Sequence, residues 1–187
     1  YIGSSGKGKL YAYILKELRI LIRTPIFFLN CVLTNVIWPI MILFMIFVGG
    51  SSYKELLDQL QNIDMNEYGA MVIAIGFAFF LFIGSSNGVS ASALSHEGQS
   101  FFINKYIPFD PYKQILGKVL TAILLTTIGV IVIIPIAIYV FKIPIILIIL
   151  TVIAGAFGIV MISFIGILFD IANPKLDWDN EQRAVKQ

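Results

Sequence analysis

Ser95 to Lys118, reading SHEGQSFFINKYIPFDPYKQILGK, is a half-polar, aromatic-studded segment between two long apolar runs. It contains the sole histidine, His96, directly before Glu97. A histidine beside a carboxylate suits proton transfer or metal ligation, but either role needs further groups at suitable positions. Cys31 is the sole cysteine and no second histidine exists, so neither a zinc site nor an intrachain disulfide can be assembled. No nucleophile triad can be drawn from the remaining residues. Gly3-Ser4-Ser5-Gly6-Lys7-Gly8 superficially suggests a phosphate loop, yet the spacing is wrong and Gly8 stands where that loop needs Ser or Thr. The sequence therefore predicts no catalytic residue, no metal and no cofactor, and points to binding. Phe101, Phe102, Ile103, Tyr106, Ile107 and Phe109 offer apolar anchors, interleaved with Glu97, Asn104, Lys105 and Asp110. Such a mixture fills and rims a groove on a partner.

The rest of the chain must position this segment, and it is too apolar to do so as an ordinary soluble domain. Of 187 residues, 58% are hydrophobic and 13% charged, and the mean hydropathy is +0.91. No formal charge occurs from Thr24 to Tyr53, Tyr68 to Ser95, Val119 to Phe141 or Ile143 to Phe169. Each run can cross a hydrocarbon core about 30 Å thick, which takes about 20 helical residues. An all-α, polytopic membrane bundle of four transmembrane helices with amphipathic surface helices is the expected fold. All but two of the 13 Lys and Arg lie in the N-terminal segment, the Ser95 segment and the C-terminal tail; Lys54 and Lys142 are the exceptions. The positive-inside bias places those three segments in the cytoplasm. The chain opens on Tyr1 and stops in a charged helix-like pattern, which reads as a piece of a longer polypeptide.

Residues 1–25 read as a cytoplasmic linker and a surface helix. Tyr11, Ile14, Leu15, Leu18, Leu21 and Ile22 share its apolar face, and Lys16, Arg19 and Arg23 form a basic face suited to anionic headgroups. Residues 26–94 form the first transmembrane pair, with an outer amphipathic loop at 51–68 opened by the capping pattern Ser52 to Glu55. Asn30, Thr34 and Asn35 in the first span, and Ser86 and Asn87 in the small-residue run Gly84 to Ser95, are candidate path-lining residues. That run is expected to continue the second span as a packed helix. Residues 95–110 form a cytoplasmic insert. Asp110-Pro111 starts the second transmembrane pair, 111–172, with a tight hairpin at 142–143, a kink at Pro135 and Lys118 snorkelling to the interface. Asn173-Pro174 stops it, and 173–187 form a cytoplasmic tail. The spans read as free of ionisable groups, which argues against a proton-coupled carrier and for energy delivered from outside the bilayer.

Taken together, Arg23-Thr24-Pro25 after a basic helix, Ser95-His96-Glu97-Gly98 after the second span, and Pro108 with Pro111 to Lys118 resemble permease subunits of type-2 ATP-binding-cassette exporters. The tail Asn173-Pro174-Lys175-Leu176-Asp177-Trp178 is similar to that of a bacterial putative-exporter branch, whose members carry Arg where this chain has His96. The resemblance implies a bacterial cell membrane, a separate cytoplasmic ATPase, a dimeric or pseudo-dimeric permease of six spans, and hence at least two spans beyond these four. It also implies that the surface helix and the insert meet the ATPase, through Ser95, His96, Glu97, Gly98, Phe101, Phe102, Tyr106 and Pro108. The expected function is that of a transmembrane permease without enzymatic activity of its own and without nucleic-acid partners. A non-transporting membrane scaffold, or part of an ion-coupled carrier, remain the alternatives.

Overall fold

The computed structural model describes residues 6–50, 55, 65–86, 88–106 and 109–178. Helices account for nearly all regular structure among them, and no strand occurs there. We label them α1 (Gly6–Arg23), α2 (Pro25–Val48), α3 (Met65–Ser86), α4 (Pro111–Tyr139) and α5 (Ile145–Ala172). From Pro25 of α2, Tyr68 of α3, Pro111 of α4 and Ile145 of α5, each is long and apolar enough to cross a membrane. The fold is the all-α, multi-pass bundle expected.

Helix boundaries follow local chemistry. Asp110 accepts a hydrogen bond from the Tyr112 amide at 3.0 Å, and Pro111, which has no amide to satisfy, takes the first helical position of α4. The helix continues through Pro135 to Tyr139. The chain turns through Phe141 to Pro144, with Lys142 at φ 51°, and α5 begins at Ile145. Pro174 cannot continue α5, whose last bond runs from the Asn173 amide to Phe169 O at 3.1 Å. Within α2, Phe28–Leu33 widens into a π-helical turn. Side-chain donors crowd its carbonyls: Asn30 Nδ2 donates to Ile26 O, Thr34 Oγ1 to Asn30 O, and Asn35 Nδ2 to Cys31 O, at 2.8–2.9 Å.

Three apolar clusters knit the elements. Leu21 of α1, Phe27 and Cys31 of α2, Val89, and Ala122 and Leu125 of α4 form one. Ala93, Val119 and Ile167 form a second, and Phe80, Val130 and Ile159 a third between α3, α4 and α5. Helices α3 and α5 make the most extensive pairing. Gly155 permits it: a β-carbon there would collide with the Phe80 ring.

One sequence expectation fails. The run Gly84 to Ser95 does not continue α3 as a helix; α3 ends at Ser86, and Val89 to Leu94 form successive turns. Gly88 has φ 59°, and Ser92 closes a turn onto Gly88 O through both its amide and its hydroxyl. The segment is buried, so its small residues serve close packing without helical continuity. On α1, the side turned into the bundle carries Tyr13, Glu17 and Leu21; of the expected apolar face, Leu21 is buried, Ile14, Leu15 and Leu18 are half-buried, and Tyr11 and Ile22 are exposed. Most of the outer loop 51–68 and the end of the tail, 179–187, lie outside the described residues; from Met65 onward that loop already belongs to α3.

Substituting Gly155→Leu is expected to destabilise the bundle by about 1–3 kcal/mol, because overpacking forces α3 from α5. Exposed Ala156→Leu supplies the control. Thermal unfolding in detergent measures both, and equal midpoints would contradict the close contact.

Candidate functional site

Five charged or ionisable side chains from three parts of the chain converge where α1 crosses α4. Helix α1 supplies Lys16 and Glu17, the segment after α3 supplies His96 and Glu97, and α4 supplies Lys118. Tyr13, Glu17 and Leu21 recur every fourth residue, so one face of α1 carries Glu17 between two apolar contacts into the bundle. The Lys118 ammonium donates to Glu17 Oε2 at 3.1 Å, to Glu97 Oε1 at 2.9 Å and to Ala93 O at 2.8 Å. Its three protons thus meet three acceptors. Glu17 is 1% exposed and Lys118 3%. The expected snorkelling of Lys118 does not occur, because acceptors surround its ammonium inside the fold.

His96 extends the network. Its Nδ1 lies 2.8 Å from Ser92 O, which can only accept, so Nδ1 donates there. Its Nε2 lies 3.2 Å from Glu17 Oε2. The Phe27 ring packs edge-on against the imidazole, with centroids 5.5 Å apart. Lys16 closes the rim, 3.4 Å from Glu17 and 3.5 Å from Glu97.

Burial acts to raise the Glu17 carboxyl, but the Lys118 ammonium, the His96 hydrogen bond and Lys16 outweigh it and hold that carboxyl well below its ordinary value of 4.5. Burial, with the charges of Glu17 and Glu97, pushes the Tyr13 hydroxyl up. Glu17, His96 and Glu97 bring ligand atoms within 4.8 Å of one another, a spacing compatible with a metal ion. The Lys118 ammonium already bonds both carboxylates, so a cation of the protein's own fills that role.

A second set of contacts anchors the start of the Ser95–Tyr106 segment, which forms 3-10 turns interrupted at Gly98. Asp170, fully buried in the last turn of α5, accepts from the Leu94 and Ser95 amides and from the Ser95 hydroxyl. The same hydroxyl oxygen accepts from the Lys175 amide at 3.0 Å, and Trp178 Nε1 donates to Ser95 O at 2.8 Å. Gly98 has φ 52°, and a β-carbon on it would lie 2.7 Å from the Trp178 ring. Glycine is required there on both counts.

Of the residues singled out in the sequence, Ser95, His96, Glu97, Gly98 and Lys16 come together here. Phe102 and Tyr106 are exposed beside them, at 57% and 81%. The Phe101 side chain, Pro108 and Asn87 lie outside what is described. Arg19 and Arg23 are exposed on α1, apart from the ion pairs. Asn30, Thr34 and Asn35 turn their donors back onto α2, and Ser86 donates to Phe82 O at 2.8 Å. The reading that the spans contain no ionisable group fails at Lys118 and Asp170, both buried within the apolar helices. Glu17, Lys118, Asp170 and Trp178 were not among the candidates. One signal pointed to Glu17: it is the sole acid between Leu10 and Thr24, with Tyr13 and Leu21 one turn away on either side.

Comparison with known protein families, with curated proteins and with solved structures yields no match. The geometry of the junction therefore carries the functional argument alone.

Removing one partner leaves the other buried and unpaired, so Glu17→Gln is expected to cost about 3–5 kcal/mol, while Glu17→Leu combined with Lys118→Met recovers much of that loss. Thermal unfolding of the single and double variants tests the coupling; additive losses would exclude it. Because the Glu17 carboxyl is depressed in the fold, its contribution is full above the ordinary carboxylate range and is lost as pH falls toward strongly acid values. The wild type should therefore lose more stability than Glu17→Gln between about pH 5 and pH 2.

Proposed function

We propose that the chain is the transmembrane permease component of an ATP-driven exporter, in which a separate cytoplasmic ATPase docks on the Ser95–Tyr106 segment and on α1. The observation that carries this reading is the Lys118 junction, which joins α1, the segment after α3 and the start of α4 through one buried ammonium. Exposed Phe102 and Tyr106 belong to a segment whose start is tied through Glu97 to Lys118 and through Ser95 to Asp170. Lys118 and Asp170 belong to apolar helices. Coupling of this kind asks for stiff attachment at the point of contact and mobility elsewhere.

In this reading no residue of the chain performs covalent chemistry, and hydrolysis belongs to the partner subunit. The basic segments face the cytoplasm of a bacterial cell, and a second copy or pseudo-equivalent half completes the path. Movement of α4 and α5 against α2 and α3 exposes cargo to alternate sides, with Asn30, Thr34, Asn35 and Ser86 as candidate lining groups. The fixed attachment of Ser95 to Asp170 and Trp178 also suits a second role, a scaffold that holds a cytoplasmic protein without moving cargo.

Co-purification of the full-length protein with its ATPase, followed by hydrolysis assays in reconstituted vesicles, separates the two. Phe102→Asp with Tyr106→Asp should abolish the complex. Lys118→Met should retain the complex yet lower cargo-stimulated hydrolysis at least ten-fold. A complex indifferent to the paired Asp variants would remove the docking assignment, and hydrolysis that never responds to cargo would favour the scaffold.

A further inference from the structure

At the end of the bundle remote from the ion junction, α3, α4 and α5 enclose a cavity of about 310 Å³. Ile75 and Phe79 of α3, Val130 and Ala137 of α4, and Ile148 and Val152 of α5 are among its walls. One wall residue, Thr151, carries a side-chain polar atom, and its hydroxyl is spent on Leu147 O at 2.7 Å. Water therefore has no partner in this cavity, and it is either empty or filled by hydrocarbon.

Its shape selects among hydrocarbons. On α4 the lining runs from Val130 to Ala137, which at about 1.5 Å per residue is roughly 10 Å, about a third of a hydrocarbon core about 30 Å thick. A helix about 10–12 Å across cannot enter so small a volume over that depth. The mouth has two features. Ile75, 60% exposed, opens it sideways onto the apolar exterior of the helices. Lys142, exposed and held at φ 51°, lies between Phe141 and Ile143, both lining residues, and so places a cation at the membrane-surface end. An apolar slot with a lysine in the turn between two of its lining residues matches the two chemistries of a membrane lipid, a hydrocarbon tail joined to an anionic phosphate.

We infer that this cavity is a binding site for one acyl chain of a glycerophospholipid, whose phosphate meets Lys142. The site is separate from the ion junction and independent of the exporter reading. A lipid held there wedges α4 from α3 while leaving the α3–α5 contact intact.

The test uses the full-length protein reconstituted in phosphatidylcholine vesicles containing phosphatidylglycerol spin-labelled along one acyl chain. Electron paramagnetic resonance reads the motionally restricted fraction. The wild type should restrict one lipid per chain more than Val152→Trp or Ala137→Phe, which fill the slot. Lys142→Gln, which leaves the slot open, should weaken that component about three-fold and shows the effect without any change in packing. Resistance of α1 to protease reports that each variant keeps its fold. Equal restricted fractions in the wild type and both filled variants would overturn the site. So would efficient cross-linking of Ile75→Cys between two copies in the same vesicles, since a second copy would then cover the opening.

Discussion

An ammonium group withdrawn from water must be given acceptors at every proton, and the Lys118 corner of this bundle is arranged around that requirement. Glu17 of α1 supplies one, and Glu97 and Ala93 O of the segment after α3 supply the other two, far from Lys118 in the chain. The arrangement is cooperative in a strict sense. Without α1 the ammonium lacks Glu17; without the segment after α3 it lacks two of its three acceptors; without α4 two carboxylates are left buried together. Desolvation makes the pairs a weak source of net stability, but it makes any partial assembly costly, so the junction specifies which elements meet. Apolar packing by Leu21, Phe27, Val89 and Leu125 supplies the burial that makes the rule strict.

The two ends of the bundle are built on opposite principles. Near Lys118 and Asp170, buried charged groups meet partners from other parts of the chain, giving directional contacts that resist sliding. Toward the α4–α5 turn the interior is nearly free of polar atoms, and packing alone decides how close the helices come. Directional bonding fixes one end, and adaptable dispersion contacts leave the other able to accommodate a guest or a tilt.

Hydrophobic length made the four spans legible in the sequence, because bilayer thickness imposes it regardless of partners, and Asp110-Pro111 marked the start of α4 through bonding that is local. The junction was not legible in the same way. Glu17 and Lys118 are 101 residues apart, so no local pattern pairs them. The wheel drawn for α1 counted Tyr11, Ile14, Leu15, Leu18, Leu21 and Ile22 as its apolar side and left out Glu17, which the fold buries beside Leu21 and whose cost of burial is met only by distant groups. Asp170 sat just past the charge-free run that defined the last span, where edge effects of counting hid it. Ser85 to Leu94 is composed of residues that tolerate helix or turn equally, and Gly88 at positive φ decided for the turn.

The π-helical turn at Phe28–Leu33 also alters how α2 should be compared with any relative. A turn that accommodates one residue more than the regular 3.6 rotates everything after it by about 100° relative to everything before it. Phe27, Cys31 and Asn35 recur every fourth residue across this turn and all three are buried, so the packed side of α2 stays toward the bundle through it. In evolutionary terms the turn behaves as an insertion absorbed inside a helix. An aligned sequence one residue shorter here would keep the packed side of the span turned inward as it is, while appearing to have lost an amino acid from the middle of the helix.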